Sequence, residues 1–251
     1  VWYPAIAQIL TQTKEFGASK IGNNEPVLVE FVSANPTGPL HVGHGRGAAY
    51  GDSIARLLKT VGYRVCAEYY INDAGRQMNI LATSVWLRYL EVCGEEFVFP
   101  SNAYRGAYVG EIAQQLFSQY GKHFFKPAEL VFKDIPADEP LGGNKEAHID
   151  ALILKAKTLL GVVDYEKIFN AGLTSILLDI KEDLSAFRVN FDEWFSENSL
   201  FKIDFVDKTI QRLIASGTTY EANGALWFKS TDFGDDKDRV LLRENGQPTY
   251  F

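Results

Sequence analysis

The sequence predicts an α/β fold built on a parallel sheet, and three observations carry that prediction. "EPVLVEFVS", Glu25 to Ser33, is a near-continuous apolar run rich in valine, as in a strand buried on both faces. From His44 the pattern changes to helical spacing, which stops at Gly62. "YRVCAEYYI", Tyr63 to Ile71, is then a second strand-like run. A strand, a helix and a strand in that order imply a parallel pair joined by a right-handed crossover.

The elements follow in turn. In the crossover helix Ala48, Ile54, Leu57, Leu58 and Val61 fall largely on one face, and Gly62 supplies the C-terminal stop. Gly75 to Gly94 predicts an amphipathic helix, and Ala107 to Phe125 another. "KPAELVFKDIPADEPLGGNKE" is polar and rich in Pro and Gly, which predicts an exposed, mobile stretch. Helices are expected at about Ala147 to Leu160, Tyr165 to Phe187 and Lys202 to Ser216. "GALWFKS" and "RVLLRENGQPTYF" read as short strands, the second with Asn245-Gly246 at a hairpin-type turn. The expected organisation is residues 1–90 as the first half of a nucleotide-binding sheet, 91–220 as a mostly helical insertion, and 221–251 as strands returning to that sheet.

Composition bounds the partners. Of 251 residues, 46% are hydrophobic and 23% charged, which is ordinary for a globular protein. The net charge of −7 argues against a surface that grips nucleic acid over its whole extent, but not against a local basic patch. No apolar run reaches the roughly 18 residues that span a bilayer, and no signal peptide is visible. Two cysteines, Cys66 and Cys93, suit a reducing interior. The expectation is a cytoplasmic protein without a membrane. The chain opens Val1-Trp2-Tyr3 and stops inside the apolar "PTYF", so both ends read as cuts through a longer protein.

"ANPTGPLHVGHGRGAAYGD", Ala34 to Asp52, holds two of the four histidines, His41 and His44, where strand gives way to helix. A helix N-terminus exposes unpaired N–H groups and partial positive charge, so it favours phosphate. In an open parallel sheet, ligands collect beyond the carboxyl ends of the strands. Imidazolium donors there can stabilise charge developing on a phosphoryl centre; the plainer alternative is that both rings only cap and pack. A dinucleotide fingerprint does not fit. Gly43, Gly45 and Gly47 are spaced G-x-G-x-G, with Glu68 further on, and the first glycine lies well beyond the turn where that fingerprint needs it. A Gly-Lys-Ser/Thr phosphate loop is absent.

The run Ala34, Asn35, Pro36, Thr37, Gly38, Pro39, Leu40, His41, Val42, Gly43, His44 resembles the H-x-G-H signature of class I aminoacyl-tRNA synthetases. "VEFVSANPTGPLHVGH", "YYINDAGRQM", "FDEWFSENSL" and "STDFGDDKDRVLLRENGQPTYF", in that order, resemble arginyl-tRNA synthetase of the bacterial type. The resemblance runs over essentially the whole chain. It implies a Rossmann-type parallel sheet, here its first half, with a mostly helical connective insertion. It implies activation of L-arginine by ATP with Mg²⁺ to an adenylate, and transfer to tRNA(Arg), by a monomer without a tightly bound cofactor. This chain, as an incomplete piece, would be inactive alone.

Residue by residue, the resemblance makes His41 and His44 catalytic, with His41, Gly43 and His44 at ATP. It puts Glu30, Ser33, Asn35, His41 and Tyr250 at arginine, and Glu197 there more weakly, as an acid near the guanidinium. A guanidinium needs planar carboxylate partners and an α-amino group needs acceptors. Arg46 is either a phosphate contact or a surface charge. Asn72 and Asp73 end the second strand on the same side, without a defined role. "STDFGDDKDR" reads as a solvated acidic turn, and His123 and His148 do not look like zinc ligands. The rival is a synthetase-like module that binds nucleotide or protein without ligating.

Overall fold

A computed structural model describes residues 2–249. The chain divides into two compact units, one ending at Ser196 and one beginning at Glu197.

The first unit opens with helix α1, Trp2–Gln12, followed by strand β1, Pro26–Glu30. Helix α2 spans Val42–Thr60 and strand β2 spans Arg64–Ile71. The expected strand–helix–strand unit is there, and β1 and β2 are parallel, Pro26 pairing with Arg64 and Glu30 with Glu68. β1 ends sooner than the apolar run. Val32 (φ 64°) and Ser33 (φ 40°) both take left-handed backbone, which turns the chain out of the sheet. A β-branched residue there is an outlier that costs about 1–3 kcal/mol and persists only where its surroundings fix it.

The strand is not buried on both faces. Val27 and Val29 are half-buried while Leu28 is 59% exposed, because the packed elements lie against one face only. Helix α2 also departs from expectation. Its buried residues are Ala48, Gly51 and Ala55, and Leu57 is 66% exposed. Small residues win because helix and strand approach closely: a Cβ on Gly51 would lie 2.2 Å from Phe31 Cγ.

Helix α3, Arg76–Val92, is buried over most of its length between Met78 and Leu90. It packs against α4, Ala107–Tyr120, and the long α6, Lys145–Ala186. Trp86, Tyr89, Phe124, Leu152 and Ile168 are fully buried in this core, and Trp86 Nε1 donates to Phe124 O at 2.9 Å. The two helices expected after Ala147 follow one another directly within α6, and the break between them falls at Gly161, whose φ of 72° marks the kink. The stretch expected to be mobile carries helix α5, Ala128–Val131, and a 3₁₀ turn at Glu139–Leu141. Val131 and Asp138 in it are buried, and Asp138 accepts from Ser101 N and Oγ.

The strand that rejoins the sheet is β3, Glu193–Ser196, where the sequence predicts part of the helical insertion. It runs parallel to β2, Glu68 beside Glu193, and gives the order β1-β2-β3. The strands expected to return to that sheet do not join it among the described residues. β4, Thr219–Ala222, β5, Ala225–Phe228, and β6, Arg239–Leu242, form a separate antiparallel sheet. It belongs to the second unit with helices α7, Asn198–Lys202, and α8, Phe205–Ala215.

Candidate active site

The loop from Phe31 to His41 leaves β1 at its carboxyl end and is pinned from three sides. Ser33 Oγ accepts from Tyr70 N at 3.1 Å. Tyr69 of β2, fully buried, donates its phenol to Ala34 O at 3.0 Å, and burial pushes its pKa up to about 12. Tyr108 of α4 donates to Thr37 O at 2.7 Å. Its ring sits where a Cβ on Gly38 would lie 3.1 Å from the phenol oxygen and one on Gly106 2.2 Å from the ring. Ala34 and Pro36 are buried, while Thr37, Gly38 and Leu40 are partly so and Asn35 and Pro39 are exposed.

His41 is the N-cap of α2, and its Nδ1 accepts from Gly43 N at 3.1 Å. His44, two residues into the helix from Val42, returns the bond: its Nδ1 accepts from His41 N at 3.2 Å. The rings stack with centroids 3.7 Å apart. An Nδ1 that accepts leaves the ring's hydrogen on Nε2. The donors the cap leaves open are the Nε2–H groups. Burial, and then the proximity of His41, lowers the His44 pKa. Leu40, His41 and Gly45 face Asp183 and Leu184 of α6 and Phe187, which follows it, across a shallow cleft.

At the same sheet edge Asn35 lies between Asn72 and Gln77. Asn72 Nδ2 donates to Asn35 Oδ1 at 3.2 Å, and Asn35 Nδ2 donates to Gln77 Oε1 at 2.8 Å. Asp73 is buried and accepts from Ser196 Oγ at 2.6 Å. Glu30, exposed at the end of β1, stands in register with Glu68 and, through it, with Glu193; burial and these two neighbours raise the Glu68 pKa.

The structure thus brings Ser33, Asn35, His41, Gly43, His44 and Glu30 to one end of one sheet. Glu197 opens the second unit beside α7, and Tyr250 lies outside the described residues. Sequence reasoning passes over Gln77, Tyr69 and Tyr108. For Gln77 the polar run "NDAGRQ" after β2 is a usable signal; nothing local marks the two tyrosines. Arg46 is exposed on α2. In the acidic turn Arg239 pairs with Asp235 and Asp236. His123 contacts Asp164, and His148 Nδ1 contacts Pro136 O. Cys66 and Cys93 are free thiols.

A parallel sheet whose first crossover helix is headed by H-x-G-H is the arrangement of a class I tRNA synthetase catalytic domain, and residues 5–96 match the family model "tRNA synthetases class I (R), catalytic domain". Within that class the chain is similar to arginine–tRNA ligases. It is 58% identical over 246 residues to the arginine–tRNA ligase of Legionella pneumophila (strain Corby), covering 98% of this chain. It is 56% identical over the same length to that of Thioalkalivibrio sulfidiphilus. A Campylobacter jejuni structure assigned to arginyl-tRNA synthetase superposes with a TM-score of 0.74 at 32% identity, covering 97% of this chain and 46% of that one. The chain spans 42% of the length of these curated relatives. No helix among the described residues is long and apolar enough to cross a membrane.

Proposed function

We propose that this chain carries the amino-acid-activating half-site of an arginine–tRNA ligase, which joins L-arginine to ATP as an adenylate and passes it to tRNA(Arg). The observation that carries the reading is the His41–His44 box at the head of α2, with Asn35 held at the same sheet edge. His41 and His44 present Nε2–H donors to the ATP phosphates, and Gly43 leaves the helix start open to the nucleotide. Such donors act where charge develops as pyrophosphate leaves, in the preorganised manner of an oxyanion hole. Glu30, Ser33, Asn35 and His41 serve arginine, with Tyr250 and Glu197 as further candidates. In this reading Mg²⁺ enters on the ATP phosphates.

In this reading residues 1–90 are the first half of the catalytic domain and the helices after it the connective insertion. The protein works in the cytoplasm as a monomer. The test is pyrophosphate exchange in the full-length protein. Exchange should require arginine, and His41→Ala or His44→Ala should slow it about 10²–10³-fold while ATP and arginine binding change less. No arginine-dependent exchange favours the binding-module reading instead, and exchange that both variants leave intact returns the two histidines to a capping role.

A further inference from the structure

We propose that Asn72 and Gln77 are positioning residues that fix the direction of the Asn35 amide, so that its free acceptor and its free N–H stand on fixed sides for the substrate. The inference rests on the functional reading above and extends it to two residues that do not touch substrate.

Asn35 has two lone pairs on Oδ1 and two hydrogens on Nδ2. Asn72 occupies one lone pair at 3.2 Å and Gln77 takes one hydrogen at 2.8 Å. What remains is one acceptor site and one N–H. That pair matches the α-ammonium and α-carboxylate of an amino acid. It does not match a guanidinium, which has donors only. Asn35 therefore reads the backbone end of the substrate, leaving the side chain to carboxylates such as Glu30.

A row of three amides is satisfied equally well in either direction, because each can turn over and exchange donor for acceptor. The direction is set from the Asn72 end. Its Oδ1 packs on Gly75, 3.1 Å from where a Cβ would stand, and Gly75 is the N-cap of α3. The unpaired N–H groups and positive end of a helix favour oxygen there. With Oδ1 turned to the helix, Nδ2 faces Asn35, and the rest of the row follows. Gln77, in the first turn of α3, takes the other end.

Two substitutions of equal charge separate this from mere packing. Gln77→Glu keeps an acceptor facing Asn35 Nδ2 and so keeps the direction. Asn72→Asp replaces the donor by an acceptor and forces the row to reverse. In the full-length protein, Asn72→Asp should raise the arginine KM about tenfold or more, the loss of a hydrogen bond to a charged group. Gln77→Glu should leave it within about threefold, and the ATP KM should move in neither. Gln77→Lys, a donor only, forces the same reversal from the far end and serves if Asn72→Asp does not fold.

Equal effects of Gln77→Glu and Asn72→Asp, or the opposite order, would overturn the proposal. A second readout needs no substrate: in the 251-residue chain, nuclear Overhauser contacts of the Asn35 side-chain NH₂ should point to Gln77 in the wild type and to position 72 in Asn72→Asp. Contacts to Asn72 in the wild type refute the direction. If instead these contacts are as expected but no exchange depends on arginine, the functional reading fails and the amide geometry stands.

Discussion

His44 Nδ1 accepts the backbone N–H of His41, and the two imidazoles stack at 3.7 Å. Protonating either Nδ1 breaks one arm of the cap, and protonating both rings places two cations face to face. The cap therefore leaves both Nε2 positions free of it.

This gives a pH dependence with a defined sign. The His44 pKa is lowered by burial and then by His41, from an ordinary value of 6.5. Around and below that value the unfolded chain binds more protons than the folded one. The stabilising contribution is present above about pH 6.5 and is lost as pH falls through the lower folded value. NMR titration of the His44 ring should give a midpoint below 6.5, and addition of an ATP analogue should raise it by bringing phosphate to the site. A midpoint above 6.5 without ligand contradicts the capping geometry.

Glu30→Gln should raise the arginine KM of the full-length protein sharply and leave the ATP KM nearly unchanged. The substitution keeps shape and removes the charge that a guanidinium pairs with. It also removes one of the carboxylates beside Glu68, so the Glu68 pKa should move back down toward its ordinary range. An unchanged arginine KM makes Glu30 a strand-end residue only.

Gly51→Ala should destabilise the first unit without touching the chemistry. The new methyl would stand 2.2 Å from Phe31 Cγ, and Phe31 already packs on Phe191 at 4.4 Å between ring centroids. Overpacking of this kind costs about 1–3 kcal/mol, which lowers Tm by roughly 2–4 °C for each kcal/mol in a chain of this size. Calorimetry showing no loss would mean that the Phe31 ring yields freely.

Tyr108→Phe removes the phenol that holds Thr37 O at 2.7 Å. A neutral hydrogen bond is worth about 0.5–1.5 kcal/mol, so the stability loss should be small. The exchange rate should fall more than stability does, because the loop that Tyr108 holds ends at His41. Equal small effects on both leave Tyr108 as packing alone.

The β1–α2–β2 unit was legible because its signals are local. Apolar runs, helical spacing and Gly–Pro punctuation act within a few residues, and they also place His41 and His44 at the helix head. The sequence by itself determined that unit and, through the H-x-G-H run and three further segments, the likeness to arginyl-tRNA synthetases. The tertiary structure alone decided what depends on partners far along the chain. β3 is four residues long and exists as a strand because Glu193 meets Glu68. Asn35 takes its direction from Asn72 and Gln77, and Ser196 closes on Asp73. The buried stripe of α2 is small rather than large because Phe31 fills the space above Gly51. Periodicity shows which residues share a face; how closely two faces approach, and which side chains meet at a sheet edge, is set only when the chain closes on itself.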